Sequence, residues 1–161
     1  MGIIDGNTWL SFKSQSKDNS KIAFTKGAIP QFGSPNKDII YMLDAKTNVP
    51  TIVFDSHSRD DISNIIRVAI SPDGETLLFD ARIGERHQIF QINSDGTELR
   101  QITNSEFDTM FPYWSPGGAS FYAVVYEPNT FVSRLTLYSL NGEVINTISL
   151  ENTWLWGWFG Q

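Results

Sequence analysis

The chain has 161 residues, 40% hydrophobic and 13% aromatic, which suits one domain with a packed core and is too apolar for a disordered segment. A formal charge of −6, with 12 scattered Lys and Arg, argues against nucleic acid and against an anionic membrane surface, since both require clustered cations. Cysteine is absent, which excludes disulfides, thiolate nucleophiles and cysteine-bearing zinc sites.

From the N-terminus, MGIIDGNTWL lacks the basic and apolar regions of a secretory leader, and Gly6 stands where a myristoylation signal wants Ser or Thr. No apolar run approaches the roughly 20 residues of a spanning helix, so no membrane insertion is expected. Short strands are predicted at Thr8 to Phe12, Lys21 to Thr25, Asp38 to Asp44 and Thr51 to Phe54. GAIPQFGSPNKD between the second and third of these reads as an inserted loop from its Gly, Pro and Ser. A second series follows at Ile66 to Ile70, Thr76 to Ala81, His87 to Ile92 and Glu98 to Ile102. A third runs over Met110 to Trp114, Ser120 to Val125, Ser133 to Ser139 and Glu143 to Ser149. Asp95-Gly96 and Asn141-Gly142 predict two-residue hairpin turns, with Gly supplying positive φ. No window of helical length keeps apolar spacing at i, i+3, i+4 and i+7 without a Gly or Pro, so the chain is predicted to be all-β.

The series are copies of one unit. ISPDG at Ile70 to Gly74 recurs as WSPGG at Trp114 to Gly118, an offset of 44 residues, and a further 44 reaches Trp158. Backwards, the matching anchor is Phe12, 58 residues before Ile70, with SQSKDN at Ser14 to Asn19 where SPDG is expected. NTWL occurs at Asn7 to Leu10 and again at Asn152 to Leu155, as if each copy opens a unit. Four-stranded antiparallel units at this period are propeller blades. The predicted architecture is an incomplete β-propeller: blades at about 8–55, 66–103 and 110–149, then an inner strand at about 152–159.

The run from RVAISPDGETLLFDARIGERHQIFQINSDGTELRQIT through YWSPGG resembles the repeat of TolB-like propellers, which are related to WD-repeat proteins. Ser71 to Gly74, Leu77 to Phe79, Ile89 to Gly96, Gln101 to Thr103 and Tyr113 to Gly118 carry the likeness. It is strong over Ile66 to Ala123 and weaker elsewhere, and Gly117 replaces the turn Asp in the third unit. The resemblance implies a ring of six or seven blades and a role in the bacterial envelope, periplasmic or extracellular, in contact with other envelope components. It also implies that something covers the end blades. The Trp-rich segment with Trp154, Trp156, Trp158 and Phe159 reads as an assembly edge sandwiched between blades.

Chemistry is faint by comparison. The two histidines, His57 and His87, lie in different units, and no G-x-S-x-G elbow is present. SHSRDD, Ser56 to Asp61, offers His57, Asp60 and Asp61 as ligands, but its place between two blades reads as a solvated loop, and no metal site or cofactor is assigned. Adjacent Asp60 and Asp61 point apart in an extended chain, unlike a glycosidase pair. Phe32, His57, Arg59, Arg82, Arg86, His87, Phe107, Tyr126 and Phe131 fall on connections predicted to share one rim, and Arg among aromatics is the composition of an interface. The expected function is therefore a non-enzymatic scaffold that binds a protein partner, or a second copy, by rim or blade edge. A substrate-binding propeller of a peptidase or sugar-active enzyme, and a half-ring completed by oligomerisation, are the alternatives.

Overall fold

The computed structural model describes residues 8–28, 36–127 and 132–150. Phe32, Phe131, Trp154, Trp156, Trp158, Phe159, the predicted strand at 152–159 and the second NTWL lie outside them. The first sheet is β1 (Thr8–Gln15), β2 (Lys21–Ala28), β3 (Asp38–Asp44) and β4 (Val49–Asp55), in that order. In the second, β5 (Ile62–Ser63) and β6 (Val68–Ile70) both lie along β7 (Thr76–Ile83), followed by β8 (Arg86–Asn93) and β9 (Arg100–Gln101). The third is β10 (Asp108–Trp114), β11 (Ser120–Glu127), β12 (Val132–Ser139) and β13 (Val144–Leu150). Neighbours within the three sheets pair antiparallel, and the described residues contain no α-helix.

The sheets stand side by side, and β7 shows it. Its residues Leu77 to Ala81 are buried without alternation, as a strand covered on both faces must be. Leu77, Phe79 and Ala81 join Ala23, Ile40, Met42 and Phe54 of the first sheet in one core cluster. Leu78 points the other way and joins Ile89, Ile102, Phe121 and Tyr138 in the second. Fully burying a side chain such as Phe79 contributes about 1.5–3 kcal/mol, so the contacts between sheets are a main source of stability. A tilted aromatic contact crosses the first boundary, with the Phe54 and Phe79 ring centroids 5.3 Å apart.

The repeated turn is a Ser-x-Asp-Gly device. In the second sheet Ser71 N–H donates to the Thr76 carbonyl and Gly74 N–H to the Ser71 carbonyl. Ser71 Oγ and Glu75 N–H both donate to Asp73 Oδ1, at 2.5 and 3.0 Å. Those bonds hold the Asp73 carboxyl below its ordinary pKa, the Ser71 hydroxyl contributing most. The first sheet repeats the turn at Ser16-Lys17-Asp18-Asn19, where Asn19 takes φ 60° in place of glycine. The unit therefore aligns Ser16 with Ser71, an offset of 55, and the expected anchor at Phe12 shifts by three residues.

Three other expectations change. Asp95-Gly96 and Asn141-Gly142 sit in three-residue loops: Gly96 N–H donates to Asn93 and Asn93 N–H to Thr97, with the same pattern joining Gly142, Ser139 and Glu143. Only the glycines take positive φ (87° and 85°), whereas a two-residue turn would need it at Asp95 and Asn141 as well. The fourth strand of the second sheet shrinks to two residues, because Glu98 takes φ 56° and interrupts the extended run. Its first strand starts at Val68, because the N–H groups of Ile66 and Arg67 are bound by the Asp80 side chain rather than by a neighbouring strand.

Candidate partner-binding rim

Strand direction sorts the connections onto two sides of the array. One side carries the tight turns after β1, β3, β6, β8, β10 and β12. The other, the rim, carries the connections from β4 to β5 and from β9 to β10 and the β7–β8 hairpin. His57 and Arg59 lie on the first of these, in and just after a 3-10 turn at Ser56–Ser58, and both are exposed. Each is committed to an acid two residues away. The His57 ring Nδ1 lies 2.7 Å from Asp55 Oδ1, and Arg59 grips both oxygens of Asp61 at 2.8 and 2.7 Å. Asp55 is lowered in pKa, first by the His57 backbone N–H, and Asp61 first by the Arg59 guanidinium.

The hairpin brings three more together. Arg82 stands opposite His87 in the β7–β8 register and opposite Ser63 of β5 on its other side, and its Nε donates to the Gly84 carbonyl at 3.2 Å. Arg86 is half-buried beside Ile83 at the hairpin end. His87 donates its backbone N–H to Asp108 Oδ1 at 2.8 Å, and Asp108 in turn faces Tyr126 across β10 and β11. Burial pushes the His87 imidazole below its ordinary pKa, against the pull of Asp108, so the ring is neutral at pH 7. Phe107 packs on the core between the second and third sheets. Arg82, His87, Phe107 and Tyr126 thus belong to one neighbourhood, and His57 and Arg59 to the adjoining connection.

Four polar residues behind the rim escaped the sequence reading. Asp38 is buried; its Oδ2 accepts Ile65 N–H at 3.0 Å, and its own N–H donates to Ser56 Oγ. Gln88 is buried with its amide fully used: Oε1 accepts from Thr103 Oγ1 and Ser105 N–H, and Nε2 donates to the carbonyls of Ser105 and Phe107. Asp80 is fully buried and accepts three backbone N–H groups, from Ile66 (3.1 Å) and Arg67 (2.7 Å) on Oδ1 and from Phe111 (2.7 Å) on Oδ2. Arg67 lies 5.5 and 5.0 Å from the ring centroids of Phe111 and Tyr113 and donates to the Tyr113 hydroxyl. An acid inside the apolar run LLFDA was the available signal for Asp80, because a buried carboxylate must find partners.

Comparison with known proteins fixes the architecture. No protein-family model matches the chain. An uncharacterised protein of Agrobacterium fabrum is 27% identical over 115 residues, covering 68% of this chain and 38% of its own. An uncharacterised peptidase of Bacillus subtilis, YuxL, is 29% identical over 111 residues, covering 67% of this chain and 16% of its own. The solved structure of a putative TolB from Agrobacterium tumefaciens superposes with a TM-score of 0.65 at 22% identity, over 91% of this chain and 50% of that one. The fold is that of a TolB-like β-propeller.

A manganese complex of oligogalacturonate lyase superposes equally well, TM-score 0.65 at 15% identity, over 84% of this chain and 41% of that one. The TolB-like blade is therefore shared by proteins of different chemistry. This chain spans well under half the length of the curated relatives it matches. Within this propeller fold the three sheets are blades, β1, β6 and β10 are inner strands, and the rim is one mouth of the array.

Proposed function

We propose that this chain is a non-enzymatic propeller module that binds a protein partner at the rim formed by the β4–β5 and β9–β10 connections and the β7–β8 hairpin. The observation that carries the reading is how the rim's polar groups are occupied. His57 and Arg59 are satisfied by Asp55 and Asp61, and among the described residues no three His, Asp or Glu side chains converge as metal ligands. Arg82, Arg86, Phe107 and Tyr126 remain as a set of arginine and aromatic surface, the residue types that dominate binding energies at protein interfaces. Buried anchors fix these connections to their strands, which suits recognition by a preformed surface. The likeness to a peptidase supports a second reading, in which the same rim holds peptide substrates for a catalytic domain.

The test places a photo-crosslinking residue at position 82, on the rim, or at position 46, in the turn on the opposite side. A discrete protein species captured from 82 and not from 46 is expected. Once purified, that species should bind the Arg82→Glu, Arg86→Glu double variant at least about tenfold more weakly than the unmodified chain. Capture of short peptides instead would favour the second reading. Equal affinity for both forms, or capture from position 46 alone, would refute both.

A further inference from the structure

The sequence contains a single Asn-Gly pair, Asn141-Gly142, in the loop between β12 and β13 on the side of the array opposite the rim. Glycine has no side chain, so its backbone nitrogen is open to the carboxamide that precedes it. The equivalent loop of blade two carries Asp95-Gly96, and the same backbone bonds fold both. Gly96 N–H donates to the Asn93 carbonyl at 2.9 Å and Gly142 N–H to that of Ser139 at 3.0 Å; Asn93 N–H donates to Thr97 and Ser139 N–H to Glu143, both at 2.9 Å.

What differs is the side chain ahead of the glycine. Asp95 Oδ1 accepts the Thr97 hydroxyl at 2.6 Å and the Thr97 N–H at 2.9 Å, which pin its carboxyl and hold it below its ordinary pKa, the hydroxyl contributing most. An ionised carboxylate is a poor electrophile. In blade three Glu143 stands in the place of Thr97 and gives its N–H to Ser139 Oγ at 3.2 Å. Asn141 is exposed, and among the described residues no hydrogen bond engages its carboxamide. The loop is also a fastening point. Leu140 packs on the core between blades two and three, and its carbonyl accepts Arg100 Nη2 of blade two at 3.1 Å. Gly142 sits so close to blade two that a Cβ there would stand 2.2 Å from the Ile102 carbonyl oxygen. That fit depends on the length of backbone between Leu140 and Gly142.

We propose that Asn141 is a site of spontaneous deamidation, and that its isoaspartyl product loosens the seam between blades two and three. Hydroxide removes the Gly142 N–H proton, and the nitrogen attacks Asn141 Cγ. The new N–C bond closes a succinimide ring as the Cγ–Nδ2 bond breaks, and ammonia leaves with a proton from water, which regenerates hydroxide. Water then opens the ring. Addition at Cγ yields aspartate in a normal chain; addition at the former backbone carbonyl carbon routes the chain through Cβ and Cγ, which adds one backbone atom and leaves a free carboxylate. The opening that starts the reaction breaks the Gly142–Ser139 bond of an exposed loop and does not require the blade to unfold. With the extra atom, the loop cannot keep both that bond and its close seat on Ile102. The proposal is independent of the rim reading.

The test is to age the folded chain in mildly alkaline buffer, locate the acid form by peptide mapping and separate aspartate from isoaspartate by electron-transfer fragmentation. A parallel sample in guanidinium chloride sets the rate for the unfolded chain. Asn141 of the folded chain is expected to convert ahead of the other described asparagines, within about tenfold of the unfolded rate. Glu143→Thr, which restores the clamp of blade two, should slow the conversion at least about threefold. The isoaspartyl protein, isolated by ion exchange, should melt below the fresh protein and exchange amides faster over residues 100–102 and 138–143. Asn141→Asp, which gains the charge without the extra atom, should keep the fresh melting temperature. An Asn141 that stays an amide while the guanidinium sample converts, a Glu143→Thr rate equal to that of the unmodified chain, or an isoaspartyl protein that melts like the fresh one or like Asn141→Asp would overturn the proposal.

Discussion

Asp80 should set the pH dependence of this fold. Burial pushes its carboxyl from the ordinary 3.8 up to about 6, although the N–H groups of Phe111, Arg67 and Ile66 all pull it down. The folded chain therefore holds a proton between about pH 4 and 6 that the unfolded chain has released. Stability contributed by that proton is fully present below about pH 4 and is lost as pH rises through about 6. A difference of about two pKa units corresponds to about 3 kcal/mol at about 1.36 kcal/mol per unit. Asp80→Asn keeps an acceptor for Ile66 and Arg67 and removes the titration, with an amide NH2 now facing the Phe111 N–H. Urea unfolding followed by Trp fluorescence at pH 4, 5, 6, 7 and 8 gives the stability difference between the two proteins at each pH. Relative to the variant, the unmodified chain should lose about 3 kcal/mol between pH 4 and 8. The comparison cancels His87, whose lowered pKa acts with the opposite sign, and Asp38, whose raised pKa acts with the same sign. A difference that stays constant across the series would refute the assignment.

Three further outcomes follow from local geometry. Alanine at Gly142 (φ 85°) would place Cβ 2.2 Å from the Ile102 carbonyl oxygen, and at Gly96 (φ 87°) 2.8 Å from that of Val53, whereas at Gly84 (φ 59°) nothing lies within 4 Å. Thermal unfolding should rank Gly142→Ala as most destabilised, Gly96→Ala next and Gly84→Ala least, the last at about 1–2 kcal/mol for the backbone alone. Gln88→Ala strips partners from Ser105 N–H and from two carbonyls, and should cost about 2–4 kcal/mol by chemical denaturation, with faster amide exchange over residues 103–107. Asp18 is held at about pKa 2, first by the Ser16 hydroxyl and then by Ser20, so its contribution is present above pH 4 and lost as pH falls through 2. Asp18→Asn should flatten the rise in melting temperature between pH 2 and 4, and an unchanged rise would contradict that.

The fold was legible because its signals were local and repeated. Ser71 to Gly74 and Ser115 to Gly118 carry their turn in four residues, and the short apolar runs between them mark strands, β7 being buried on both faces. Ser16 to Asn19 was harder, because Asn19 supplies a positive φ that glycine usually signals. The loops at Asp95-Gly96 and Asn141-Gly142 were recognised as turns but given the wrong length, since a dipeptide does not reveal which backbone carbonyl accepts the glycine N–H. The site was less legible. That Arg59 would close on Asp61 and His57 on Asp55 is a choice of rotamer, and that Gln88 reaches Ser105 and Phe107 depends on two segments brought together only by the fold.

Those hidden contacts bear on recognition. Asp38 fastens the start of blade two to blade one through Ile65, Gln88 fastens the approach to blade three, and Asp80 joins the inner strands of blades two and three by receiving Phe111 from a bulge at φ 58°. Each anchor is a buried polar group satisfied by backbone N–H donors, so releasing one strands donors that water cannot easily reach. The rim connections spring from these anchored points. Under the proposed rim reading, a partner meeting Arg82 or Tyr126 encounters a surface already ordered by residues it never touches, and little of its binding energy is spent on ordering loops. If the proposed rim binding holds, substitutions at Asp38 or Gln88 weaken the capture measured from position 82 without altering a single contacting side chain, because what they remove is the fixed spacing between one connection and the next.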